Sequence, residues 1–146
     1  MTIQVGDLVE ISSKEDGYLG SYYVAQVVSP KPAKNKNKFT VEYQTLFSEK
    51  DHQKRLREVV HATDVRPCPP PIRVSGFEVM EVVDAYYEEG WWIGRVTGRV
   101  GADRYSVYFD STSDEFEYSR CDLRIHQEWE DGIWVPSQTK NYGFLA

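Results

Sequence analysis

Cysteine is scarce in this chain, with two among 146 residues. Cys68 and Cys121 stand far apart and outside any Cys-x-x-Cys arrangement, so neither a disulfide scaffold nor a thiolate metal site is expected. They read as reduced thiols of an intracellular protein. His52, His61 and His126 lack metal-ligand spacing to one another or to the cysteines, so no metal site is expected. No apolar run is long enough to span a membrane, Met1-Thr2-Ile3-Gln4 opens nothing like a signal peptide, and no Asn-x-Ser/Thr glycosylation site is present. Helix signals are weak, the best being a turn over residues 48–54. Gly-x-Ser-x-Gly, the P-loop and the Rossmann fingerprint are all missing. Gly94 to Val100 reads as a strand plus a turn, and Asp114-Glu115 as loop charges without a buried neighbour to tune them. An enzyme and a cofactor are therefore not expected.

What is present is a pattern stated twice. Val9-Glu10-Ile11, Tyr22 to Val27, Phe39 to Tyr43 and Asp64-Val65-Arg66-Pro67 form a first pass. Met80-Glu81-Val82, Trp91 to Val96, Tyr105 to Phe109 and Asp122-Leu123-Arg124-Ile125 form a second. Short alternating segments punctuated by Gly, Asp and Ser predict an all-β chain of two small antiparallel barrels. The expected organisation is a first barrel over residues 1–67, a proline-rich linker over 68–75, a second barrel with an added hairpin over 76–136, and a tail over 137–146. Barrels of this size are marginal alone, so one packed, monomeric tandem is expected. The short chain reads as a piece of a longer protein.

The net charge of −6 is unevenly spread. Through Pro71 there are ten Lys/Arg against nine Asp/Glu; from Ile72 through Pro136 there are six against fourteen. An acidic second half repels phosphate backbones and attracts cationic partners such as basic peptides. The exception is the run carrying Lys31, Lys34, Lys36 and Lys38, which keeps weak RNA or DNA contact open. Thr45 to Arg55 reads as a long charged loop, a place where function concentrates.

Aromatic residues fall where strands meet loops. Converging aromatic faces bind methylated ammonium groups, because the ring quadrupole attracts the cation and the methyl groups fill an apolar box. The first pass offers Tyr18, Tyr22 or Tyr23, Tyr43 and Phe47, with Glu49 and Asp51 to supply charge. The second offers Tyr86 or Tyr87, Trp91 or Trp92, and Phe109, but Ser113 stands where the first has Phe47. Tyr23 and Trp92 share strand parity with core positions, so core packing competes with the cage reading for both.

The pattern Gly-x-x-Val-Glu-Ile, aromatic-x-Ala/Gly-x-Val, aromatic-x-Val-x-aromatic and Asp-Val/Leu-Arg-Pro resembles the Agenet domain, the plant branch of the Tudor-like, or Royal, superfamily. The resemblance runs from Val5 to Pro67 and from Gly76 to Ile125, and a Trp-x-x-Gly-x-Trp segment over 129–134 follows it. It implies two Tudor/SH3-like barrels in a tandem Agenet unit and a nuclear chromatin reader of the histone H3 tail. The best expectation is dimethylated lysine nine, a heterochromatin mark connected with gene silencing and DNA methylation. By the same resemblance Tyr23 (or Tyr22), Tyr43 and Phe47 are the cage walls; Asp51 would add its charge to the cage, and Tyr86, Trp91, Trp92 and Phe109 would form a second aromatic rim. An acidic groove of Glu49, Asp84, Glu88, Glu89, Asp110, Asp114, Glu115 and Glu117 would hold unmodified basic residues of the tail. The second pass departs from the pattern at Met80, at Ser113 and at Ile125, which replaces the closing Pro. Nucleic-acid binding, or protein interaction without a cage, is the alternative.

Overall fold

The computed structural model describes residues 3–13, 20–30 and 37–137, and the chain divides into two compact units, Met1–Cys68 and Pro69–Ala146. Unit one contains β1 (Leu8–Ser12), β2 (Ser21–Pro30), β3 (Lys38–Phe47), β4 (Arg55–His61) and β5 (Val65–Pro67). These pair antiparallel in the order β5-β1-β2-β3-β4. Unit two repeats the order as β10-β6-β7-β8-β9, with β6 (Val82–Tyr87), β7 (Gly90–Gly101), β8 (Arg104–Phe109), β9 (Asp114–Ser119) and β10 (Leu123–Ile125). In both, a single 3-10 turn leads into the last strand. Each unit is a small Tudor/SH3-like antiparallel barrel.

Period-two alternation decides the inner faces. Val9, Ala25, Val27 and Val41 are fully buried in unit one, as Val83, Ala85, Val96 and Val107 are in unit two. Burying each of these valines contributes about 1.5–3 kcal/mol, and the rows fix the register because a one-residue slip would turn each of them to water. The registers are superimposable: Val27 pairs Val41 as Val96 pairs Val107, and Val41 pairs Glu58 as Val107 pairs Phe116. Tyr23, Tyr43, Glu58 and Val60 therefore correspond to Trp92, Phe109, Phe116 and Tyr118.

Three local outcomes differ from the expectation. The strand expected from Val5 begins at Leu8, after Gly6 turns the chain at φ 95°. The charged loop is shorter than Thr45 to Arg55, because β3 runs on to Phe47; within it the turn expected over 48–54 forms, Asp51 Oδ1 accepting from Gln53 N at 3.0 Å. The expected hairpin forms as β11 (Gln127–Glu130) and β12 (Ile133–Pro136), with Trp129 opposite Trp134. The segment expected as a linker is tied to unit two: Ile72 and Val74 pack on its core, and Gln127 Nε2 donates to Pro70 O at 2.9 Å.

Candidate cation-recognition site

At one end of unit one the rings of Tyr23 and Tyr43 stand perpendicular, at 88°, with centroids 6.5 Å apart. Both are buried, at 8% and 5% exposure. Tyr23 comes from the first turn of β2 and Tyr43 from the inner face of β3, two residues beyond Val41. A carboxylate meets this pair: Tyr43 Oη donates to Glu58 Oε1 at 2.8 Å. Glu58 occupies an inner-face position of β4 between Leu56 and Val60, which pack on the core, yet Glu58 itself is exposed. Two perpendicular π-faces with an anion at their edge suit a cation that carries apolar bulk.

The remaining expected members of this cage lie elsewhere. Tyr22 points to the opposite face of β2, and the Arg66 guanidinium lies 3.6 Å above its ring centroid. Phe47 is turned outward by a bulge: Glu42 pairs Arg57, but the next pair is Phe47 with Arg55, so β3 uses five residues where β4 uses two. Parity shifts, Leu46 takes the core-side position, and Phe47 is left 50% exposed. Asp51 is occupied in its turn. Tyr18, Lys31, Lys34 and Lys36 lie outside the described residues; Lys38 pairs His61 in the β3–β4 ladder.

In unit two the rings form a larger cluster. Trp92 and Phe109, expected on the rim, are buried at 7% and 3% exposure, to the same degree as their counterparts Tyr23 and Tyr43. Tyr87 and Phe116, 39% and 40% exposed, lie over them and stack on each other at 5.4 Å and 22°. Tyr87 also meets Trp92 at 6.5 Å, and Phe109 meets Phe116 at 6.4 Å. Phe116, which sequence reasoning missed, stands at the register position of Glu58. The place held by a carboxylate in unit one is thus filled by an aromatic ring in unit two. Ser113 sits in the β8–β9 turn at φ 60°.

The acidic residues separate into distinct groups. Asp84 is corrected outright: at 1% exposure it cannot line a groove, and it is held by Arg124 Nε at 2.9 Å and His126 Nδ1 at 2.7 Å. Glu88 and Glu89 form the two-residue turn between β6 and β7, both at positive φ where Asn or Gly is usual. Glu88 and Asp114 gather around Tyr87, whose hydroxyl pKa is pushed up by desolvation first and then by these carboxylates. Asp110 is 3.9 Å from Arg95, Glu115 accepts from Thr97 Oγ1 at 2.9 Å, Glu117 is 3.8 Å from Arg104, and Glu49 is exposed on the β3–β4 loop. Tyr86 packs edge-on against Trp91 at 5.2 Å, and Trp91 carries Arg124 at 4.2 Å.

The two outer-face aromatics reveal a repeated triad. Glu10, Arg66 and Tyr22 in unit one correspond to Asp84, Arg124 and Trp91 in unit two. In each, a buried carboxylate on the first strand pairs with an arginine on the last, and that arginine lies over a ring on the second. The arginine of the Asp-Val/Leu-Arg motif is a structural clamp.

Residues 6–70 match the Agenet domain family. Protein AGENET DOMAIN (AGD)-CONTAINING P1 of Arabidopsis thaliana is 39% identical over 140 residues, which is 92% of this chain and 27% of that protein. DUF724 domain-containing protein 3 of the same plant is 33% identical over 138 residues, 92% of this chain and 20% of that protein. The chain therefore spans only a minor part of the length of these relatives. Among solved structures, Arabidopsis thaliana AGDP1 AGD34 matches with a TM-score of 0.84 at 32% identity, covering 90% of this chain and 88% of that one. The tandem Agenet domain 3-4 of ADCP1 matches with a TM-score of 0.79 at 32% identity, covering 90% and 86%. By sequence, by register and by fold, this chain belongs to the Agenet family of plant Tudor-like domains, whose barrels are binding modules rather than a catalytic fold.

Proposed function

We propose that this chain reads a methylated lysine in a basic peptide, the histone H3 tail dimethylated at lysine nine being the best candidate. On this reading it works in the nucleus, linking a heterochromatin mark to silencing. The observation that carries the reading is the Tyr43 hydroxyl bonded to Glu58, with the Tyr23 ring perpendicular to that of Tyr43. A dimethylammonium placed there meets two π-faces and keeps one N–H for the carboxylate, and a cation–π contact taken out of water contributes up to about 2 kcal/mol. Unit two offers no equivalent, because Phe116 stacked on Tyr87 stands where the carboxylate would be. Its half-exposed rings beside Glu88 and Asp114 instead suit unmodified Lys and Arg side chains. With few side chains buried, binding at roughly micromolar strength, about −8 kcal/mol, is expected.

The test is calorimetric titration with H3 tail peptides, unmodified and dimethylated at lysine nine. Methylation-dependent binding that Tyr43→Ala loses while still folded supports the reading. Equal affinity for both peptides contradicts it.

A further inference from the structure

The bulge that turns Phe47 outward also builds a second surface, independent of the barrel-end tyrosines. Phe47 and Arg55 are direct cross-strand partners, and one step along the same face Arg57 stands opposite Glu42. These residues line a cleft of about 900 Å³ with Ser48, Gln53, Lys54 and Leu56. The half-exposed Phe47 ring sits on its wall. Arg57 is paired with Glu42 at 2.9 Å, but among the described residues neither Lys54 nor Arg55 has an ion-pair partner. The loop that closes the cleft is fixed rather than loose: Ser48 N donates to Lys54 O at 2.8 Å, and Lys54 N donates to Asp51 O at 3.0 Å.

This chemistry is opposite in sign to the acidic patch of unit two and is left unused by a methyl-lysine site. An exposed aromatic ring with a guanidinium opposite it on the neighbouring strand combines the two elements of sequence-tolerant single-strand binding: a stacking platform and cations that track the backbone. Lys54 and Arg55 are consecutive residues at the start of β4, both lining the cleft, so their two cations lie beside the Phe47 ring without the Glu42 carboxylate that occupies Arg57. We infer that the Phe47–Arg55 cleft binds single-stranded nucleic acid, one base stacking on Phe47 while Arg55 and Lys54 hold adjacent phosphates. A duplex keeps its bases stacked internally and offers none to Phe47, so the single strand is the preferred form. Stacking on a π-face and phosphate contacts leave it tolerant of sequence.

Fluorescence anisotropy with a labelled dT12 oligonucleotide and its RNA counterpart, at low and rising salt, tests this on the full chain. Binding is expected to weaken with salt with a log–log slope of roughly −1.4 to −2.1, corresponding to two or three phosphates on a single strand. Phe47→Ala and Arg55→Glu should each weaken it roughly fivefold or more. Both residues are exposed, so both variants fold, as circular dichroism would verify, and both should leave H3-peptide affinity unchanged. Glu58→Gln should do the reverse, so failure of this site and failure of the methyl-lysine reading are separable. No binding at low salt overturns the inference. So does binding that neither variant changes, which would move it to another surface such as the lysine run of 31–38. Equal affinity for duplex DNA would also overturn it by removing the role of Phe47.

Discussion

The guanidinium carbon of Arg66 lies 3.6 Å above the centre of the Tyr22 ring. The same guanidinium holds the Glu10 carboxylate, 1% exposed, at 2.8 Å. A buried carboxylate left without its cation costs far more than the pair contributes, because the anion keeps its desolvation penalty and loses the compensating charge. Arg66→Ala should therefore destabilise unit one by about 3–5 kcal/mol in urea unfolding at pH 7. Replacing Glu10 and Arg66 together by Leu should cost much less. A loss below about 1 kcal/mol for Arg66→Ala would refute the clamp.

Gly94 occupies the register position of Ala25 but has no room for a methyl group. A Cβ there would lie 2.5 Å from Val107 Cγ1 and 3.0 Å from Phe109 Cε1, both in the unit-two core. Gly94→Ala should destabilise unit two by about 1–3 kcal/mol through overpacking. Trp91, Trp92, Trp129 and Trp134 all belong to that unit, so tryptophan fluorescence follows its unfolding alone. An unchanged midpoint would mean that Val107 and Phe109 shift without cost.

The Tyr118 hydroxyl is buried and, among the described residues, without a hydrogen-bond partner. Burial, with Tyr87 and Asp122 adding to it, pushes its pKa up to about 12 from 10.0. The folded state thus holds this proton more tightly than the unfolded one. Its contribution to stability is complete below pH 10 and is lost as pH rises from 10 towards 12. Tyr118→Phe should remove that part of the alkaline loss. At pH 7 it should be neutral or stabilising by up to about 1 kcal/mol, since an unsatisfied polar group disappears. A substantial loss at pH 7 would show that the hydroxyl is satisfied after all.

Much of the fold was legible because alternation and repetition are properties of neighbouring residues. Val41 and Tyr43, or Val107 and Phe109, announce an inner face from their spacing alone, and the second pass confirms the first. Of the first-pass aromatics expected to converge, only Tyr23 and Tyr43 stand together. Beyond Glu42 the bulge breaks parity, and nothing in Tyr43-Gln44-Thr45-Leu46-Phe47 marks where the extra residues are placed. Glu58 carried a signal that was passed over: an acid between Leu56 and Val60 at inward parity. Phe116 stands at the same inward parity, two residues before the buried Tyr118. Asp84 looked like one more surface acid because its partners, Arg124 and His126, are about forty residues away and meet it only through the β6–β10 pairing.

The most direct measurement is an NMR titration of the folded chain with free dimethyl-lysine, following the aromatic ring resonances. The account predicts saturable shifts of the Tyr23 and Tyr43 rings that Glu58→Gln weakens, while Trp92, Phe109 and Phe116 stay in place. Shifts confined to the unit-two rings, or none at all with unmodified and dimethylated lysine behaving alike, would contradict it.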